Sequence, residues 1–313
     1  MKVKGNPTTP LSALRQAFGE RLQENVVMAN YTTAHVGGPA DAMLIVHSAV
    51  ELESAMRSLW QLQVPYFIFG SGSNVLVSDS GFRGLVLVNR AKTVRIDTHN
   101  TPHTVWAESG ANFSGVARQV ALRGLSGLEW AATIPGSVGG AVYGNAGAYG
   151  SDMRANLVLA EILHPILGRQ EWNVEQLRYN YRSSALKSQP GQTVILAARL
   201  QLNPSTPAEV QAKMEEFSEK RRKSQPPGAS LGSMFKNPPG DFAGRLIEAA
   251  GLKGTRSGGV QVSPVHANFF VNAENATASD YYRLIQQVQQ RVFEHSGVQL
   301  ALEIEQIGAW RDE

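Results

Sequence analysis

Apolar and polar positions along the first two hundred residues switch between a period of two and a period near four. Residues 42–47 (AMLIVH), 66–69 (YFIF), 75–77 (VLV) and 84–88 (GLVLV) are short apolar runs bounded by turn residues, which predicts strands. Between the first two, Ser48 with Glu51 three places later forms a capping-box signature and opens an amphipathic helix to about Gln63. TVRID (93–97) and TVWAE (104–108) predict a strand pair, and Asn112 predicts the cap of a helix carrying Phe113, Val116, Ala117 and Val120 on one face. Strands resume at 157–163 and 194–202. Thr206, Pro207 and Glu209 then open a helix, which places a domain boundary near Asn203. Beyond it, residues 278–295 put Tyr281, Leu284, Ile285, Val288, Val292 and Phe293 at helical spacing as a core-facing stripe, while 267–272 and 300–307 read as strands. The fold class expected is α+β.

Composition narrows the chemistry. The 313 residues contain no cysteine, which removes thiolate nucleophiles, disulfides, iron–sulfur clusters and cysteine-based zinc sites. With 42% apolar and 18% charged residues the chain can bury a sizeable core. A net charge of +3 is too small for a nucleic-acid footprint unless concentrated. The densest basic run, Lys220 to Lys223, follows Glu215, Glu216 and Glu219 and reads as a solvated helix face. No apolar stretch approaches the ~20 residues needed to span a bilayer, and the first 25 residues lack the apolar core of a secretory signal. A cytoplasmic protein that neither enters membranes nor binds nucleic acid is expected.

Common nucleotide motifs are missing. There is no Walker A sequence, and GSGSNV puts Val75 where a Rossmann fingerprint needs its third glycine. The GxSxG match at 228–232 follows KRRKSQPP rather than a buried strand, so it does not read as a nucleophile elbow. His99 and His103 are separated by Pro102, which argues against a helical metal pair, and no metal is expected. What remains is GSGSN (70–74) after an apolar strand, a turn whose backbone N–H groups could hold a pyrophosphate, and a second run at 136–150 in which six of fifteen positions are glycine. Two such segments suit an extended dinucleotide. Ser233 in GSMFKNPPG, Arg182 in YNYRSS, and Glu303 with Glu305 sit where local structure does not demand them. Singly, each has an ordinary explanation: a turn serine, a guanidinium stacked on Tyr179 or Tyr181, and a solvated carboxylate pair about 7 Å apart on one strand face, with Leu302 and Ile304 on the other.

Together these segments resemble the UDP-N-acetylenolpyruvoylglucosamine reductases, flavoenzymes that make the UDP-muramic acid precursor of peptidoglycan. The resemblance rests on VGGPAD (36–41), GSGSNVLVSDSGFRGLV (70–86), GLEWAATIPGSVGGAVYGNAGAYG (127–150), YRSS (181–184), GSMFKNP (232–238), GLKG (251–254), VSPVHANFFVN (262–272) and EIEQIG (303–308), in family order over residues ~30 to 308. It implies an N-terminal lead-in with a helix (1–29), an FAD-binding domain of the vanillyl-alcohol-oxidase type (30–203, with subdomains at about 30–90 and 91–203) and a C-terminal α/β substrate-binding domain (204–313).

The same resemblance implies the chemistry. FAD is expected to be dissociable, since residues 70–74 contain no histidine for covalent attachment, and to be held by Gly70, Ser71, Gly72, Ser73, Asn74, Ile134, Pro135, Gly136, Ser137, Gly139, Gly140, Asn145, Ala146 and Gly147. NADPH is the reductant and UDP-N-acetylglucosamine enolpyruvate the substrate. Arg182 matches the family arginine that stabilises developing negative charge, Ser233 the proton donor, and Glu303 the catalytic glutamate; Lys236 and Asn237 match a substrate-contacting stretch. The 51 residues from Arg182 to Ser233 match the shorter subtype, which lacks a tyrosine-bearing insertion. Ser71, Ala34 and His35 depart from the family pattern, and Glu305 matches no family role. The alternatives are another FAD oxidoreductase of the superfamily and a flavin-free nucleotide-sugar binding module.

Overall fold

The computed structural model describes residues 9–310, so the lead-in before residue 9 lies outside the described residues. Two compact units emerge, each gathered from separate stretches of chain. The first comprises the described residues through Gln23, Met43–Gly70 and Gly84–Arg221; the second comprises Glu24–Ala42, Ser71–Arg83 and the chain from Arg222 onward.

In the first unit, the expected helix runs Ala49–Gln61 and leads into Tyr66–Phe69, which pairs in parallel with Leu85–Val88. The Ser48 hydroxyl accepts the Glu51 N–H at 3.1 Å, while the Glu51 carboxylate takes the N–H of His47, one residue earlier than a full capping box requires. A larger antiparallel sheet follows in the order Gly168–Trp172, Leu157–His164, Val194–Pro204, His103–Glu108, Val94–Asp97. Alternation sorts its faces: Val105 and Ala107 are fully buried, whereas Trp106 between them donates its indole N–H to Glu161 at 2.6 Å and lies under Arg95. The helix Phe113–Ala121, capped by Asn112, lays Phe113, Val116, Ala117 and Val120 into this core, where Phe113 meets Trp130 edge to face at 5.4 Å between centroids.

Glu108 breaks the pattern by being both charged and buried. Its carboxylate accepts the Ala49 N–H and the Thr93 N–H, each at 2.8 Å, so it joins the start of the helix Ala49–Gln61 to the lead-in of the strand Val94–Asp97.

The second unit is built on Ser230–Ser233, Phe269–Asn272, Val260–Val262 and Arg256–Ser257, paired antiparallel in that order. The helix Ala278–Ser296 buries Tyr281, Leu284, Ile285, Val288 and Val292 as its stripe predicts. Phe293 does not belong to that stripe: it is half exposed, because it directly follows Val292 and falls 100° further round the helix. Burial pushes the Tyr281 phenol well above its ordinary value, and its hydroxyl donates to the Phe270 carbonyl at 3.2 Å. The strand expected over 300–307 is also corrected. Only Glu305–Ile307 is a strand, paired in parallel with Val75–Val77, and the chain bends at Ile304. Glu303 and Glu305 therefore do not share one face of a continuous strand, since the bend interrupts the alternation that would align them.

Candidate functional site

In the first unit, the two glycine-rich segments meet. A Cβ placed on Gly70 would lie 2.5 Å from the Ser137 hydroxyl oxygen, so a side chain at 70 would have to displace the second run. That second run is anchored by Phe113 N–H to the Gly136 carbonyl (3.1 Å), Val138 N–H to the Ala111 carbonyl (2.9 Å) and Gly139 N–H to the Ser109 carbonyl (2.7 Å). Ser109 in turn accepts the Asn89 side-chain amide at 2.8 Å, at the same strand ends that deliver Gly70. Gly139 is explained by this packing, since its Cβ would meet Ser109 at 2.9 Å.

Does this arrangement suit a dinucleotide cofactor? Thr133, immediately before Ile134, Pro135 and Gly136, has a hydroxyl oxygen shielded from solvent and without a hydrogen-bond partner in the protein. A buried polar atom normally has a partner, so one is expected from a ligand. The orphaned hydroxyl beside a turn that a Cβ would fill fits FAD at Gly70 and 134–140.

Asn145 and Gly147, further along the same run, brace the turn that carries Arg182. Asn145, left-handed at the end of Val138–Gly144, donates its side-chain amide to Asp152 (3.1 Å) and to the Asn180 carbonyl (3.2 Å). The Gly147 carbonyl accepts from the Arg182 guanidinium at 3.0 Å. Both thus support the turn Asn180–Ser183, in which Arg182 itself has a left-handed backbone (φ 52°). Such a conformation costs a non-glycine residue about 1 kcal/mol or more and gathers at functional sites. The guanidinium lies over Tyr181, with its carbon 5.9 Å from the ring centroid. Tyr179 is buried instead, with its hydroxyl on the Val142 carbonyl at 2.8 Å, and burial followed by the Asp152 charge pushes its phenol far up.

The second unit brings Ser233 and Glu303 to neighbouring backbone. Glu303 N–H donates to the Met234 carbonyl at 2.9 Å, Lys236 N–H donates to the Ala301 carbonyl at 2.8 Å, and Phe235 faces Leu302. The Asn74 side chain donates to the Glu303 carbonyl at 3.1 Å, and its own carbonyl accepts Glu305 N–H at 2.9 Å. Asn74 thus holds the catalytic-candidate segment, a role that its loop position does not announce. Asn237 also makes a bond within the fold. Its side-chain oxygen accepts the Ala243 N–H at 3.0 Å and substitutes for the missing cap at Phe242. Sequence reading also assigns nothing to Asn268, whose buried amide clamps Phe235; an asparagine inside an apolar run carries no mark of its partner.

Among the described residues, no group of three histidine or carboxylate side chains could hold a metal ion. No helix among them is long and apolar enough to cross a membrane.

Comparison with known proteins identifies two matching family models. Residues 40–165 match a family model described as an FAD binding domain, and residues 223–307 match the C-terminal domain of UDP-N-acetylenolpyruvoylglucosamine reductase. A reductase of that name from Rubrobacter xylanophilus is 46% identical over 282 residues, covering 90% of this chain and 93% of its own. Another, from Bacillus velezensis, is 40% identical over 306 residues, covering 96% and 99%. The crystal structure of UDP-N-acetylenolpyruvylglucosamine reductase from Thermus caldophilus superimposes with a TM-score of 0.79 at 35% identity, covering 92% of this chain and 99% of that one. An FAD-binding α+β unit joined to this C-terminal domain, with identity of this extent along nearly the whole chain, places the protein in the UDP-N-acetylenolpyruvoylglucosamine reductase family.

Proposed function

We propose that this chain reduces the enolpyruvyl group of UDP-N-acetylglucosamine enolpyruvate to give UDP-N-acetylmuramate, in the cytoplasm, with non-covalent FAD and NADPH as reductant. The observation that carries the proposal is the pairing that sets Glu303 beside the residue following Ser233, two positions remote in sequence yet held by a backbone hydrogen bond of 2.9 Å.

When bound, FAD supplies hydride transfer, accepting it from NADPH and delivering it to the methylene carbon of the enolpyruvyl group. The chain's own residues do the rest. Negative charge then develops toward the substrate carboxylate, and the Arg182 guanidinium, with its backbone fixed in the turn Asn180–Ser183, is the cation that meets it. The Ser233 hydroxyl donates a proton to the adjacent carbon, completing net addition of one hydride and one proton across the double bond. A free serine hydroxyl is a poor acid, so this step requires a fixed geometry and exclusion of water. Glu303 supplies the acidic group of the set, and Lys236 and Asn237 the substrate contacts.

The test is anaerobic. Purified protein with FAD is expected to be yellow, to bleach with NADPH and to recolour when the enolpyruvyl sugar nucleotide is added. Protein that stays colourless with FAD would be a binding module instead. Bleaching without recolouring would point to another substrate of the same flavin superfamily.

A further inference from the structure

Ser233 stands at the end of an irregular strand. Ser230 faces Val271 and Ser233 faces Phe269, so one strand advances three residues while its partner advances two. This is a β-bulge, a device that re-aims a side chain and relaxes the ladder next to it. Gly232 within it has φ +75°, a left-handed conformation that other residues adopt only with strain. Beyond Ser233 the ordinary ladder stops, and the side chain of Asn268 takes its place. Its carbonyl oxygen accepts the Phe235 N–H at 2.9 Å, and its amide donates to the Phe235 carbonyl at 2.8 Å. Its backbone carbonyl also accepts the Met234 N–H at 2.8 Å.

Asn268 is 3% exposed, and only one orientation of its amide satisfies both bonds to Phe235. The opposite edge of the same segment is held by Glu303 and Ala301 through Met234 and Lys236, so the Phe235 peptide groups rely on Asn268. A bulge leaves slack beside Ser233; this clamp removes it two residues later.

We propose that Asn268 is a positioning residue for Ser233, fixing the hydroxyl relative to Glu303. The inference rests on the reading of Ser233 as proton donor. Positioning matters here because misplacement of a reacting group by about 1 Å can cost about a hundredfold in rate.

Asn268→Asp keeps an acceptor for the Phe235 N–H but sets an oxygen against the Phe235 carbonyl. Reduction of the flavin by NADPH is expected to change by less than about twofold, while reoxidation by the enolpyruvyl sugar nucleotide falls by at least about tenfold. In a Ser233→Ala background, the same substitution is expected to cost less than about twofold more, because the group it positions is gone. Amide exchange at Phe235 should accelerate in the variant. Equal losses in both half-reactions, or full additivity with Ser233→Ala, would make Asn268 merely structural and overturn the proposal. If Ser233→Ala slows reoxidation while Asn268→Asp does not, the positioning inference alone fails. If Ser233→Ala leaves reoxidation unchanged, the donor assignment fails and the inference falls with it. Should Asn268→Asp not fold, Asn268→Ser, which retains an acceptor, carries the same expectations.

Discussion

Replacing Glu108 by Gln tests how the FAD-binding unit is held together. The carboxylate accepts two backbone N–H groups at 2.8 Å, one from Ala49 at the first position of a helix and one from Thr93. Hydrogen bonds to a buried charged group contribute about 1.5–3 kcal/mol each. Glutamine can present its carbonyl oxygen to only one of these donors and turns an NH2 toward the other. That leaves a buried N–H without an acceptor, at a cost of about 1–3 kcal/mol, and removes a negative charge beside a helix N-terminus, worth about 0.5 kcal/mol. Relief of carboxylate desolvation offsets part of this, so a net loss of about 2–3 kcal/mol is expected. For a chain of this size that is a fall in melting temperature on the order of 3–5 °C, followed by circular dichroism with FAD held at a fixed concentration. Glu108→Ala, which orphans both donors, should lose more. A change below about 1 kcal/mol in Glu108→Gln would show that the two bonds do not join these elements as argued.

Three further expectations follow from particular contacts. Arg182→Lys should retain FAD binding but lose turnover by at least about a hundredfold, since a point ammonium does not reproduce the planar guanidinium; full steady-state activity would refute the role given to it. Gly70→Ala puts a methyl 2.5 Å from the Ser137 hydroxyl and should weaken FAD binding, by titration, by at least about tenfold; Gly70→Ala with Ser137→Ala, which leaves a 3.3 Å contact, should recover most of it. Burial lowers the His266 pKa from its ordinary 6.5, and its Nδ1 accepts the Asn268 N–H at 3.2 Å, so folded protein holds the ring neutral. The stability this contributes is full above pH 6.5 and is lost as pH falls through that value toward the depressed folded pKa; urea midpoints measured from about pH 8 to about pH 5 should decline, and less so in His266→Gln.

The element pattern is largely readable along the chain because period and caps are local. Ser48, Asn112 and Thr206 each accept the N–H three residues on, as their positions imply. The 300–307 segment misleads because alternation is indifferent to a bend: the partners that divide it, Phe235 for Leu302 and Val75 for Glu305, come from distant parts of the sequence. Phe293 misleads because a stripe one residue too wide still looks amphipathic. At the site, Arg182, Ser233 and Glu303 are recognisable only as a set, through family resemblance. Asn74 reads as a cofactor contact, yet both its side-chain amide and its carbonyl engage the segment around Glu303, which no spacing rule could indicate. Gly139 reads as ligand approach, and its packing against Ser109 is a second reason for a glycine there that no spacing rule indicates.

The most direct test follows solvent hydrogen into product. With the reaction run in D2O with unlabelled NADPH and the enolpyruvyl sugar nucleotide, each product molecule should carry a solvent-derived deuterium at the carbon bearing the carboxylate, and Ser233→Ala should form this product at least about a hundredfold more slowly. Product formed at the wild-type rate by Ser233→Ala, or no saturated product from the wild-type protein loaded with FAD, would contradict the account.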